Sequence, residues 1–136
     1  AGDTKKEPLM SELKNLIEKE NVVNNVHFIG FQNNSADFLG QMDKFLLTSS
    51  SEGFSIATIE AIASGLPIIA TKCGGPEEII TNKASGSLVE CDNPSKIAAT
   101  LITDPSKLVQ AQHNNFSLEC AVENYIQLYN HSTPLK

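Results

Sequence analysis

Four short apolar runs alternate along the chain with longer segments whose apolar residues recur at helical spacing. The runs are predicted strands, at Val26–Ile29, Lys44–Thr48, Pro67–Thr71 and Ser87–Glu90. Strands that are apolar throughout are typical of a parallel sheet with helices on both faces, because a sheet with one face in water shows alternating polar residues. The pattern therefore predicts an α/β, Rossmann-like fold.

The predicted helices are placed by apolar spacing and by residues that favour helix ends. Pro8 opens the first helix, and Asn93 with Pro94 opens a later one. Gly65 closes a helix over about Ser55–Ser64, in a position that favours a left-handed residue. A short helix is predicted over residues 37–42, with Asn33-Asn34-Ser35 as the turn and cap before it. Three more helices are predicted to begin at about residues 77, 105 and 117.

The composition of the chain limits the kinds of molecule that it is expected to bind. The chain has 136 residues, 40% hydrophobic and 19% charged, as in a globular domain, and its net charge of -6 argues against a general nucleic-acid binder or a polybasic membrane-surface module. All ten basic residues are lysine. An anion site would therefore use backbone amides, helix N-termini or lysine, since the bidentate fork of arginine is absent.

The cysteines and the hydropathy predict a soluble, cytoplasmic protein. Cys73, Cys91 and Cys120 are far apart and form no metal-ligand motif, so buried, reduced thiols are expected. No apolar stretch approaches the roughly 18 residues of a membrane span, and no signal-peptide pattern is present at the N-terminus.

The most informative segment for chemistry is Glu52–Ser55, which joins a predicted strand end to a helix N-terminus. Ligands of open parallel sheets bind at the carboxyl ends of the strands. Gly53 would let a ligand approach the backbone, and the amides of about 54–58 would attract a phosphate or diphosphate. The same residues are also expected where Ser55 and these amides only form a helix cap. The segment alone therefore leaves both an anion site and a simple helix cap open.

Two glutamates flank this helix start. Glu60 lies in a helical stretch that is apolar nearly all round, so it is expected to be buried and to need hydrogen-bond donors. It follows Ser55 by five residues, roughly 7.5 Å along a helix axis, which suits a ribose diol next to a bound phosphate. Glu52 would hold sugar hydroxyls or stabilise developing positive charge. The alternatives are a structural hydrogen bond for Glu60 and a solvated loop position for Glu52.

The segment Ser49–Ala70 resembles the signature of the retaining glycosyltransferases of family 4, which have the GT-B fold. The shared features are two glutamates with seven residues between them, Gly-Phe after the first, then Glu-Ala and Ala-x-Gly-x-Pro. The likeness continues at Val26–Phe31, Gly74–Ile79, Gly86–Val89, Phe116-Ser117 and Tyr125. It covers only the later part of the family's C-terminal, donor-binding domain. Residues 1–136 are therefore expected to be part of that domain, without its first strand-loop-helix unit.

The resemblance implies a role for each matching position. Glu52 would be the catalytic residue beside the transferred sugar, and Glu60 would bind the ribose hydroxyls. The base would lie beside Gly30 and Phe31, and no metal or other cofactor is expected. Gly74 and Gly75 would serve turn geometry, and Glu78 would cap its own helix. The diphosphate and sugar of a UDP- or GDP-sugar would be bound by the backbone amides near Gly53, Phe54, Ser55 and Ile56.

The sequence also departs from the family pattern. The arginine and lysine that the family directs at the donor phosphates, and the N-terminal domain that binds the acceptor, are not found in it. The chain alone is therefore expected to be inactive and to self-associate through an exposed sheet edge. The whole protein is expected to transfer a hexose to a glycan or lipid in polysaccharide biosynthesis, in the cytoplasm or peripherally at the inner membrane face.

Two other classes of protein are also compatible with a small α/β domain. One is a non-catalytic nucleotide-binding or partner-binding module of the same fold. The other is a receiver-like signalling domain, which needs an acidic cluster and a phosphoacceptor aspartate at the strand ends. The predicted strand ends here carry Gly30, Ser49 and Lys72 instead, which argues against a receiver.

Overall fold

The computed structural model describes residues 7–81, 86–103 and 116–131, which fall into two compact units divided between Phe38 and Leu39. The helix predicted from Pro105 lies outside the described residues.

The first unit contains a helix and a turn, and a second helix begins near its end. Helix α1 spans Glu7–Lys19, and Asn21, at φ 56°, turns the chain after it. Helix α2 spans Ser35–Leu39 and starts two residues earlier than predicted. The cap at Asn34 is confirmed, because its Oδ1 accepts a hydrogen bond from the amide of Asp37 at 3.2 Å.

The strand predicted at Val26–Ile29 is wrong. These residues form no strand, and Val26, Phe28 and Ile29 keep 39%, 42% and 44% of their surface exposed. A strand exists only through its hydrogen bonds to a neighbouring strand, and no strand of the described residues pairs with this segment. The apolar run indicates a potential for burial, which is not enough to make a strand without a partner.

The second unit contains a parallel sheet of three strands in the order β1-β2-β3, which confirms the predicted α/β class. The strands are β1, Phe45–Leu47; β2, Ile68–Thr71; and β3, Ser87–Val89. Phe45 pairs with Ile68, and Ile69 pairs with Ser87. Every residue of the central strand β2 is buried, as its uninterrupted apolar character requires.

Four helices of the described residues follow in this second unit. They are α3, Ile56–Ala63; α4, Gly75–Ile79; α5, Pro94–Thr103; and α6, Leu118–His131. Helix α3 packs against β1 and β2, and α5 packs against β2 and β3. Three predicted helix ends are confirmed: Gly65 has φ 75°, Asn93 accepts from the amide of Lys96 at 3.0 Å, and Ser117 accepts from the amide of Cys120 at 3.1 Å.

Two further properties bear on the expectations from sequence. Within residues 7–81, 86–103 and 116–131, no helix combines the length and the apolar character that crossing a membrane requires. Cys73, Cys91 and Cys120 are free thiols, but they are half-buried rather than buried.

Candidate functional site

Three loops meet at the carboxyl ends of the parallel strands, and side chains join them. The hydroxyl of Thr71, the last residue of β2, donates to the carbonyl of Ser49 at 2.5 Å. The thiol of Cys91, which follows β3, donates to the carbonyl of Lys72 at 3.0 Å. The loop after β1 is therefore held to β2, and the loop after β3 is held to the residue that follows β2.

Glu52 is held by both its backbone and its side chain. Its amide donates to the carbonyl of Cys73 at 2.8 Å, and it forms an isolated parallel bridge with Gly74. One carboxylate oxygen, Oε1, accepts a hydrogen bond from the Ser49 hydroxyl at 2.6 Å. The other oxygen accepts no hydrogen bond from the described residues. The half-buried carboxylate is thus oriented by the protein and keeps an oxygen that can accept from a ligand hydroxyl.

The side chain of Ser55 does not cap α3, although Ser55 is the N-cap residue. Its hydroxyl lies 2.9 Å from that of Thr58, and the two residues are 4% and 0% exposed. The amides of Ile56 and Ala57, the first two of the helix, find no acceptor among the described residues. The interpretation in which Ser55 satisfies these amides is therefore not what the structure has, and they are available to an anionic ligand.

Glu60 is exposed, so the prediction that it is buried is wrong. Only Thr58, Ala61 and Ile62 of α3 are buried, and Ile56 is 68% exposed. An eight-residue helix rests on a sheet by one face, so apolar residues all round it do not ensure burial all round. The carboxylate still follows Ser55 by five residues, roughly 7.5 Å along the helix axis.

Phe54 contacts a residue that is distant in sequence. Its ring is 53% exposed and lies edge-on to the ring of Phe116, with centroids 5.7 Å apart and planes at 60°. Phe116 precedes α6, so this contact joins the start of that helix to the loop that carries Glu52. Nothing in the local sequence around either phenylalanine indicates this pairing, and the family resemblance is the only signal that includes Phe116.

Replacing Phe116 with Ala is expected to lower the free energy of unfolding by about 1 kcal/mol, because the edge contact and part of the ring's burial are lost. Urea unfolding of the whole protein measures the loss. Phe31→Ala, which deletes the same ring where it is 78% exposed, is the matched control and is expected to have a smaller effect. Equal losses for the two variants would show that the Phe54–Phe116 contact contributes nothing.

Gly30 and Phe31 lie in the first unit, whereas the other predicted site residues lie in the second. Gly30 has φ 68°, a conformation that favours glycine, and Phe31 is 78% exposed. The structure brings together Glu52, Gly53, Phe54, Ser55 and Ile56 at the end of β1 and the start of α3, with Glu60 further along that helix.

Lys72 and Glu77 have structural roles at this edge that the sequence did not predict. Lys72, just after β2, forms an ion pair with Glu90. The hydrogen bond and negative charge of Glu90 raise the pKa of Lys72 above its usual value, and the charge of Glu77 adds to this. The predicted cap by Glu78 is wrong, because Glu77 accepts a hydrogen bond from the amide of Gly74 at 2.9 Å.

Within the described parts of the chain, no three His, Cys, Asp or Glu side chains lie close enough together to hold a metal ion.

The loops at this edge of the sheet therefore carry an oriented carboxylate and lead into a helix whose first amides are unsatisfied, and comparison with known proteins identifies the family. The chain belongs to the family of group 1 glycosyl transferases, whose model matches residues 1–114. The lipopolysaccharide core biosynthesis mannosyltransferase LpsB of Rhizobium meliloti is 29% identical over 121 residues, which are 80% of this chain and 34% of that protein. The N-acetyl-alpha-D-glucosaminyl L-malate synthase of Bacillus anthracis is 33% identical over 91 residues, 67% of this chain and 24% of that protein.

Solved structures show the same fold. Anabaena HepE, crystallised in complex with UDP, superimposes with a TM-score of 0.79 at 21% identity, over 95% of this chain and 39% of that one. The C-terminal domain of the group 1 glycosyl transferase LpcC of Francisella tularensis gives a TM-score of 0.63 at 25% identity, over 90% of this chain and 65% of that one. The fold of this chain therefore corresponds to one part of the GT-B fold. The chain spans a quarter to a third of the two curated relatives.

Proposed function

We propose that this chain is the donor-binding part of a retaining glycosyltransferase of family 4, which transfers a hexose from a UDP- or GDP-sugar to a glycan or lipid acceptor. Membership of the group 1 family supports a transferase. The lipopolysaccharide core transferase among its relatives supports a role in polysaccharide biosynthesis. The observation that carries the proposal is the Glu52 carboxylate, which Ser49 orients on the loop that leads into α3, together with the unsatisfied first amides of that helix.

In this proposal the ligand lies along the start of α3. The amides of Ile56 and Ala57 donate hydrogen bonds to the diphosphate, whose negative charge increases as it leaves the sugar, so they stabilise the transition state more than the ground state. Glu60, about one helix turn further on, accepts hydrogen bonds from the ribose hydroxyls. Glu52 lies beside the sugar, where its negative charge stabilises an oxocarbenium-like transition state. No metal or other cofactor takes part.

The remaining assignments follow from the same proposal. A separate N-terminal domain of the whole protein binds the acceptor. The 136-residue chain alone is then inactive in transfer and self-associates through an exposed edge of its sheet. The whole enzyme works in the cytoplasm or at the inner face of the membrane.

The proposal is tested by titrating the whole protein with UDP and with GDP in a calorimeter. One of the two nucleotides is expected to bind. Glu60→Gln is expected to raise the Kd of that nucleotide about tenfold, because charge-assisted hydrogen bonds are roughly twice as strong as neutral ones. Glu78→Gln, an exposed position on α4, removes the same charge outside the proposed site and is the control. A wild-type protein that binds neither nucleotide would contradict the proposal.

A further inference from the structure

The loop that carries Glu52 lies against the two glycines that follow β2 at an unusually short distance. A Cβ atom placed on Gly75 would lie 1.7 Å from the carbonyl oxygen of Gly53 and 2.9 Å from the amide nitrogen of Ser55. A Cβ atom on Gly74 would lie 2.6 Å from the carbonyl oxygen of Glu52. These separations are below van der Waals contact, so only glycine allows the two backbones to approach this closely.

Backbone hydrogen bonds run between the same two segments. The amide of Glu52 donates to the carbonyl of Cys73 at 2.8 Å, and the amide of Gly75 donates back to the carbonyl of Glu52 at 3.4 Å. The bridge between Glu52 and Gly74 is parallel, like the pairing of β1 with β2, but it is isolated beyond the ends of both strands and shifted by one residue from their register. The Glu52 loop is therefore hydrogen-bonded to the glycine segment as well as touching it.

The glycine segment is the better anchored of the two. It follows the fully buried strand β2, Glu77 caps the amide of Gly74, and Pro76 and Ile79 of α4 are buried. Gly53 and Phe54 on the other side are exposed. When the two backbones are forced apart, the exposed loop is the one that moves.

We infer that Gly75 is a positioning residue, whose missing side chain sets the place of the Glu52–Ser55 backbone and thereby the affinity of the donor site. This inference rests on the function proposed above. With a Cβ at position 75, the carbonyl of Gly53 must move by more than about 1 Å to reach an ordinary contact distance. Displacements of that size at a reacting site are known to cost about 100-fold in rate.

The test compares Gly75→Ala with two controls in the whole protein, by nucleotide calorimetry and thermal unfolding. Gly75→Ala is expected to raise the Kd for the bound nucleotide at least tenfold, and its crystal structure is expected to show the Gly53 carbonyl displaced. Val89→Ala, at a buried position of β3, lowers stability without touching the loop and is expected to keep wild-type affinity. Glu78→Ala, exposed on α4, is expected to change neither quantity.

A second variant covers the case in which Gly75→Ala does not fold. Gly74→Ala meets a single carbonyl, at 2.6 Å rather than 1.7 Å, so it is expected to shift the loop less and to raise the Kd severalfold, although φ 110° at this position adds backbone strain of its own. Wild-type affinity in whichever of these variants folds, or an equal loss of affinity in Val89→Ala, would overturn the inference. A wild-type protein that binds neither UDP nor GDP would instead overturn the proposed function.

Discussion

Replacing Glu52 with Gln is expected to lower kcat for sugar transfer by the whole protein about 100-fold, the size of effect seen when one preorganised transition-state contact is removed. Glutamine has the same shape and retains an oxygen that can accept the hydrogen bond of Ser49, so the loop geometry is kept. What is lost is the negative charge beside the sugar. Because that charge acts mainly in the transition state, the KM for the donor is expected to change much less than kcat.

Steady-state kinetics with the nucleotide sugar found by calorimetry measures both constants. Glu78→Gln, which removes one charge from an exposed position of α4, is the control and is expected to leave kcat unchanged. If nucleotide binds but the wild-type protein shows no sugar transfer, and Glu52→Gln and Glu60→Gln both leave the affinity unchanged, the alternative of a non-catalytic nucleotide-binding module is favoured.

Replacing Ile68 with Ala is expected to lower the free energy of unfolding by about 2–5 kcal/mol, the usual range for deleting a buried isoleucine side chain. Ile68 lies in the central strand and is 0% exposed. A Cβ atom placed on Gly86 would lie 3.0 Å from the Cβ of Ile68, so the surroundings of Ile68 are tightly packed. Because the site loops extend from this sheet, the variant is expected to lose nucleotide binding as it unfolds on warming.

Urea unfolding with an unchanged m-value checks this prediction, since a shift of the midpoint alone reports stability. Leu46→Ala on β1 is the matched control. It removes an aliphatic side chain that is 42% exposed, so a loss below about 1.5 kcal/mol is expected. Equal losses at the two positions would mean that β2 is not the core of this unit.

Local signals predicted the parts of the fold that depend on local physics. Gly65 ends α3 because its left-handed conformation suits glycine, and Asn93 begins α5 because its side chain accepts a backbone amide. The strand at Val26–Ile29 and the burial of Glu60 were wrong for a common reason. Both depend on which surface covers an apolar segment, and hydrophobic spacing does not identify that surface.

For the site, the sequence placed Glu52 and Ser55 correctly between a strand end and a helix start. It did not predict the contacts that hold them. Thr71 and Ser49 are 22 residues apart, and the close approach of Gly75 to Gly53 joins two separate loops. Contacts of this kind arise from the register of parallel strands, which becomes visible only when the sheet is assembled.

The hydroxyl pair of Ser55 and Thr58 has a consequence for how a ligand enters and leaves. Because Ser55 is turned towards Thr58 inside the protein, no side chain of the described residues bonds the first amides of α3. An incoming anion would therefore displace only solvent from these amides. Binding and release at this helix start would therefore proceed without a rotamer change, so little of the binding energy is spent on ordering the protein.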